Sequence, residues 1–119
     1  MTDEINREPA RDPQDLERLL IVRQWAGDVE GMVALFEPEA IIDSGEGSLT
    51  IGHEAIRALY TNFAATGRKF AKGKQSPAVI NGDIALTSTQ LPDGSVTAEV
   101  ARRQSDGTWL WIIDRYSVT

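Results

Sequence analysis

Residues 79–114 read VINGDIALTSTQLPDGSVTAEVARRQSDGTWLWIID, and three turn signals cut this stretch into strand-length pieces. Asn81-Gly82 and Asp106-Gly107 are dipeptides favoured by two-residue hairpin turns, which need positive φ and so select glycine and asparagine or aspartate. Pro92-Asp93-Gly94 fits a slightly longer turn with glycine in the left-handed position. The intervening pieces are rich in β-branched and apolar residues. Everything after residue 74 therefore reads as an antiparallel meander of four strands.

Register sharpens that reading. A two-residue Asp106-Gly107 turn opposes Ser105 to Thr108, and hence Val100 to Ile113, Arg102 to Trp111 and Glu99 to Asp114. Two carboxylates facing each other across a ladder must be solvated, bridged by a cation, neutralised by a nearby arginine, or relieved by a proton on one of them. A three-residue turn instead places Asp114 opposite Ala98. The last strand, 109–118, is apolar on both faces, with Trp109, Trp111 and Ile113 on one side and Leu110, Ile112, Tyr116 and Val118 on the other. It needs cover twice. Helices supply one cover and a second copy of the sheet is the simplest other, so a homodimer through the sheet face is expected.

Working back towards the N-terminus, Asp12, Pro13 and Asp15 mark the opening of a first helix. It runs to about Ala26 on an apolar stripe of Leu16, Leu19 and Leu20, flanked by Ile21, Val22 and Trp25, and Gly27 ends it. Asp28 caps a shorter second helix through Met32, Val33, Leu35 and Phe36, which Pro38 stops. A strand Ala40-Ile41-Ile42 follows, with Asp43 at its end before the turn-rich Ser44–Ser48, and a short extended piece covers Leu49–Ile51. The third helix spans about His53 to Thr66, carrying Ile56, Leu59, Tyr60 and Phe63 on one face, and Gly67 closes it. Helices first and strands later, without βαβ alternation, imply an α+β fold in which three helices pack on the concave face of a curved antiparallel sheet. One domain, 13–119, follows a flexible segment, 1–12.

Composition narrows the function. The 119 residues carry 18 acidic and 12 basic side chains, a net charge of −6, which argues against a nucleic-acid surface. Arg68, Lys69, Lys72 and Lys74 crowd around Phe70 as a local exception, either solvating a loop or greeting an anionic ligand. With no cysteine there is no disulfide, thiol nucleophile or Cys-based metal site, in keeping with a reducing compartment. Residues 1–13 contain no apolar signal-peptide core, and runs such as Leu19–Val22 and Trp109–Ile113 are too short to cross a bilayer, so a cytoplasmic protein without membrane contact is expected. Serine-nucleophile elbows, phosphate-cradling glycine loops and H-E-x-x-H are all missing from the sequence. With His53 as the sole histidine, neither a dedicated metal site nor any other cofactor is indicated, although Asp43, Glu99 and Asp114 would suit a hard cation if they converged.

Ala26-Gly27-Asp28 with Met32–Phe36, Gly52-His53-Glu54-Ala55-Ile56-Arg57, and Asp106-Gly107-Thr108-Trp109 leading into Asp114–Ser117 occur in this order and at these spacings. In these pieces the sequence resembles the nuclear-transport-factor-2-like superfamily, in particular its SnoaL-like and ketosteroid-isomerase-like branches. The resemblance implies a cone-shaped, usually dimeric α+β fold with an apolar pocket between sheet and helices. It also implies a general-base role for Asp43, while the position of that branch's oxyanion-donor tyrosine is occupied here by Leu20. On this basis the expected activity is that of a small cofactor-independent isomerase, cyclase or hydratase acting on a small apolar carbonyl compound. Asp43 serves as base and Asp114, with Glu99, as neighbouring acid or positioning group. Trp25, Tyr60, Phe63 and Trp111 are the aromatic candidates for the pocket, and Gln90, Glu99 and Arg102 the polar ones. The competing reading is a non-catalytic ligand-binding or dimerisation module. In it the aromatics are core, Asp43 caps its turn, and Glu99 and Asp114 are ion-paired with Arg102, Arg103 and Arg115.

Overall fold

The computed structural model describes residues 6–119, so residues 1–5 of the expected flexible segment lie outside the described residues. Residues 6–12 are tied to the body. Arg7 Nε and Nη2 donate to Asp28 at 2.8 and 2.7 Å, the backbone N–H of Trp109 donates to Ala10 O at 2.8 Å, and the buried Arg23 donates to the carbonyls of Gly31 and Glu8.

Three helices, α1 (Asp15–Trp25), α2 (Val29–Val33) and α3 (Gly52–Ala65), pack on one face of a six-stranded sheet. Asp28 caps α2 as expected, its Oδ1 accepting from Gly31 N at 3.0 Å. Asp12 instead accepts from Gln14 N in a tight turn before α1, so α1 begins at Asp15 without a side-chain cap. No helix among the described residues is long and apolar enough to cross a membrane.

The sheet is formed by β1 (Phe36–Asp43), β2 (Thr50–Ile51), β4 (Val79–Asn81), β5 (Ile84–Thr87), β7 (Ala98–Arg103) and β8 (Trp109–Arg115). The short β3 (Lys74–Gln75) and β6 (Thr89–Gln90) pair separately. Its strand order is β2-β1-β8-β7-β5-β4, antiparallel except for the parallel pair β1–β8. That parallel pair departs from the all-antiparallel expectation. So does Pro38, which sits inside β1 rather than stopping α2. Between the pairings Phe36↔Trp111 and Ile41↔Ile113 the ladder is irregular, and there a proline costs no ladder hydrogen bond.

The β7–β8 hairpin joins two features of the register that the sequence reading treated as alternatives. Gln104 N bonds to Thr108 O, leaving a three-residue turn, Ser105–Gly107. Pairing starts as Arg103↔Trp109, Arg102↔Leu110 and Ala101↔Trp111, so Arg102 does not face Trp111. A bulge at Ile112 then shifts it to Val100↔Ile113 and Glu99↔Asp114. The longer turn and the extra residue cancel, which restores the carboxylate pair. The bulge also moves Ile113 to the outer face, away from Trp109 and Trp111, and turns Asp114 inward.

Candidate functional site: an apolar cavity lined by three carboxyl groups

On the inner face, register places Thr87, Glu99, Asp114 and Ile42 side by side across β5, β7, β8 and β1. All four are buried, Glu99 and Asp114 at 3% and 5% exposure. Thr87 Oγ1 donates to Glu99 Oε1 at 2.7 Å. Of the alternatives for this pair, arginine neutralisation does not occur, because the arginines extend outward: Arg102 pairs with Glu37, Arg103 with Asp83 and Arg115 with Asp43.

Above this row, α1, α3 and the loop after α3 leave a cavity of about 160 Å³. Leu20, Ile21, Phe70 and Leu91 supply apolar wall, while Glu17, Glu99, Asp114, Tyr60, Tyr116 and Thr97 supply polar groups. The size matches a ligand body near that of benzene. Tyr60 is buried, and its hydroxyl has no hydrogen-bond partner in the structure. Tyr116 stands beside it, near enough for each hydroxyl to influence the other's ionisation. A buried hydroxyl without a protein partner costs free energy unless a ligand or water bonds it.

Burial dominates the electrostatics. It pushes the Asp114 carboxyl well above the usual range, with the nearby negative charges of Glu99 and Glu17 adding to the effect. Burial also raises Glu99, partly offset by hydrogen bonding from Thr97 and Thr87. Glu17, half-buried, is pushed up to about 7, first by desolvation and then by Glu99. Near neutrality Glu17 is therefore close to half-ionised, while burial biases Asp114, and more weakly Glu99, towards the protonated form that can donate.

The sequence candidates divide accordingly. Asp114, Glu99 and Tyr60 line the cavity. Asp43 does not. Strand alternation turns the fully buried Ile42 inward and Asp43 outward, where its carboxylate accepts from Gly45 N at 3.0 Å and pairs with Arg115 at 3.3 Å. Asp43, Glu99 and Asp114 therefore do not converge into a cation site, and no metal-ligating cluster is found among the described residues. Trp111 is buried in the core against Phe36 and is not part of the cavity lining. Phe63 lies behind Phe70, stacked on it at 4.6 Å. Trp25 is exposed, its indole N–H donating to Phe70 O at 2.9 Å. Gln90 and Arg102 are exposed outside the cavity.

Glu17 and Tyr116 are the residues the sequence reading missed. Glu17 precedes Leu20, Ile21 and Gln24 by three, four and seven positions, and so occupies the buried stripe of α1. A carboxylate within an apolar stripe was the available signal. Tyr116 joined the inner face only because of the bulge at Ile112.

No family model matches the sequence, and no curated protein matches it. Solved structures do. An NTF2-like protein with a cystatin-like fold from Novosphingobium aromaticivorans superposes with a TM-score of 0.64 at 19% identity, over 85% of this chain and 75% of that one. The chain has the NTF2-like fold. A second NTF2-like protein, from Pseudomonas putida KT2440, gives 0.61 at 17% identity over 89% and 83% of the two chains. A ketosteroid isomerase-like protein from Erwinia carotovora atroseptica gives 0.65 at 11% identity over 86% and 89%. In this NTF2-like fold the cavity occupies the hollow between helices and sheet.

Proposed function

We propose that the cavity takes up a small, largely apolar carbonyl compound and that its carboxyls move a proton on it, as in a SnoaL-like or ketosteroid-isomerase-like enzyme. The observation that carries this reading is Glu17, a carboxyl at the cavity wall poised near neutrality, together with two buried donors, Asp114 and Tyr60. A base is most effective when its pKa lies near the working pH. Ionised Glu17 removes a proton α to the carbonyl, breaking the C–H bond. The negative charge moves to the carbonyl oxygen, where the Asp114 O–H and Tyr60 O–H stabilise it by hydrogen bonding. The proton held by Glu17 then returns to a carbon of the substrate.

A simple assay tests this. Cyclohexanone and acetophenone are incubated with the protein in heavy water, and α-deuterium incorporation is followed by proton NMR. Incorporation faster than in a buffer of equal carboxylate content supports proton transfer. Binding of the ketone without accelerated exchange contradicts it and favours a ligand-binding module.

We further propose that the protein functions as a homodimer through the outer sheet face. Ile51, Ile41, Ile113, Val100, Leu86 and Val79 stand opposite one another in one row across all six strands. Ile51, Val79, Leu86 and Ile113 are 47–65% exposed. A continuous aliphatic row on an exposed sheet face is costly to leave in water, and a two-fold copy covers it with the same row. Ile113→Glu, at the centre of the row, is expected to convert a dimer in sedimentation velocity into a monomer. A monomeric unmodified chain would contradict the interface.

A further inference from the structure

Beyond the cavity mouth, the positive charges after α3 have a specific arrangement. Phe70 and Ala71 line the cavity, and the chain leaves it directly into Lys72, Gly73 and Lys74. These three residues border a shallow depression that shares Leu91 with the cavity wall, and no acidic residue contributes to its lining. A second depression, sharing Glu17 and Ile21 with the cavity, also ends on Lys72. Lys72 is thus common to both depressions that adjoin the cavity.

The two lysines carry net positive charge. Among the described residues neither pairs with a carboxylate. The ammonium of Lys72 rests 5.1 Å from the centre of the Trp25 ring, which holds the cation without neutralising it. The backbone between the lysines is fixed. A Cβ at Gly73 would run into Gln90 O and Thr89 Cγ2, and Lys74 pairs with Gln90 in β3–β6. In a chain of net charge −6, two unneutralised cations on a fixed backbone beside the cavity mark a place for an anion.

We propose that the ligand of this cavity is an anionic amphiphile. Its apolar body fills the cavity, and a carboxylate or phosphate joined to it by a short linker rests on the Lys72–Gly73–Lys74 depression. This rests on the reading of the cavity as a small-molecule site and narrows its ligand class. Ionised Glu17 at the wall disfavours an anion inside the cavity, so the charged group belongs at the rim while the carbonyl faces Asp114 and Tyr60.

Calorimetric titration with 4-phenylbutanoate and its neutral amide tests the inference. At low salt the acid is expected to bind about five- to tenfold more tightly than the amide, from two partly screened ion pairs. That preference is expected to vanish in about 0.5 M salt and in the Lys72→Gln/Lys74→Gln double variant, with amide binding and melting temperature unchanged. Equal binding of acid and amide would overturn the anion subsite while leaving the cavity reading intact. Failure of both to bind would overturn both. A preference that persists in the double variant would place the anion elsewhere and refute the assignment to these lysines.

Discussion

Raising the pH from about 5 to about 8 is expected to destabilise the fold by roughly 2–4 kcal/mol, and Asp114→Asn is expected to remove much of that loss. Glu17, Glu99 and Asp114 all have carboxyls raised in the folded state, so the native protein binds more protons than the unfolded chain. Stability from such groups is complete below the unfolded carboxyl range, near pH 4. It is lost as pH climbs through each raised folded value, at about 7 for Glu17. Asp28 works in the opposite sense. Its ion pair with Arg7 holds the carboxyl low, so its contribution is present above the unfolded range and fades only in acid. The stability maximum therefore lies on the acid side of neutrality. Urea midpoints measured between about pH 4 and 9 check this for the unmodified chain, Glu17→Gln and Asp114→Asn. A flat or rising profile in the unmodified chain would contradict the buried-carboxyl account.

Glu17→Gln is expected to lower protein-catalysed α-deuterium exchange of a bound ketone by about 100-fold or more, the scale of a lost general base. The amide is nearly isosteric and cannot accept the proton, while the cavity and its other donors remain. The unmodified protein is expected to follow the ionisation of Glu17, its rate rising through about pH 7 and then levelling. Tyr60→Phe and Asp114→Asn each leave one donor to the enolate oxygen, and the asparagine amide still donates. Tyr60→Phe is expected to lose about 100-fold, the scale of one removed oxyanion donor, and Asp114→Asn less. Equal losses from all three, tracking a fall in melting temperature, would point to a structural effect. Unchanged exchange in Glu17→Gln would remove Glu17 from the chemistry.

The helical half of the fold was legible because its punctuation is local. Asp28 caps α2, and Gly27 and Gly67, at φ 73° and 72°, close their helices. The hairpins were legible for the same reason, with Gly82, Gly94 and Gly107 all at positive φ. The parallel β1–β8 contact and the strand character of Glu37–Glu39 were not, since they depend on partners some 70 residues away. Glu99 facing Asp114 was anticipated, but the route to it was not. A three-residue turn and the bulge at Ile112 offset each other, and no residue type announces a bulge of this kind. The same bulge hid Tyr116 and separated Ile113 from Trp111. Asp43 was placed by resemblance, and one-residue alternation in β1 was enough to send its side chain outward. Glu17 was visible in principle. A carboxylate three and four residues before Leu20 and Ile21 belongs to the face that those leucine and isoleucine side chains bury.

Carbon-13 NMR of side-chain-labelled Glu and Asp measures most directly whether burial in the cavity lifts its carboxyls out of the ordinary range. The expected result is a Glu17 carboxyl titrating near 7 and an Asp114 carboxyl titrating well above the ordinary carboxylate range. Both carboxyls titrating near 4, as solvated side chains do, would contradict it.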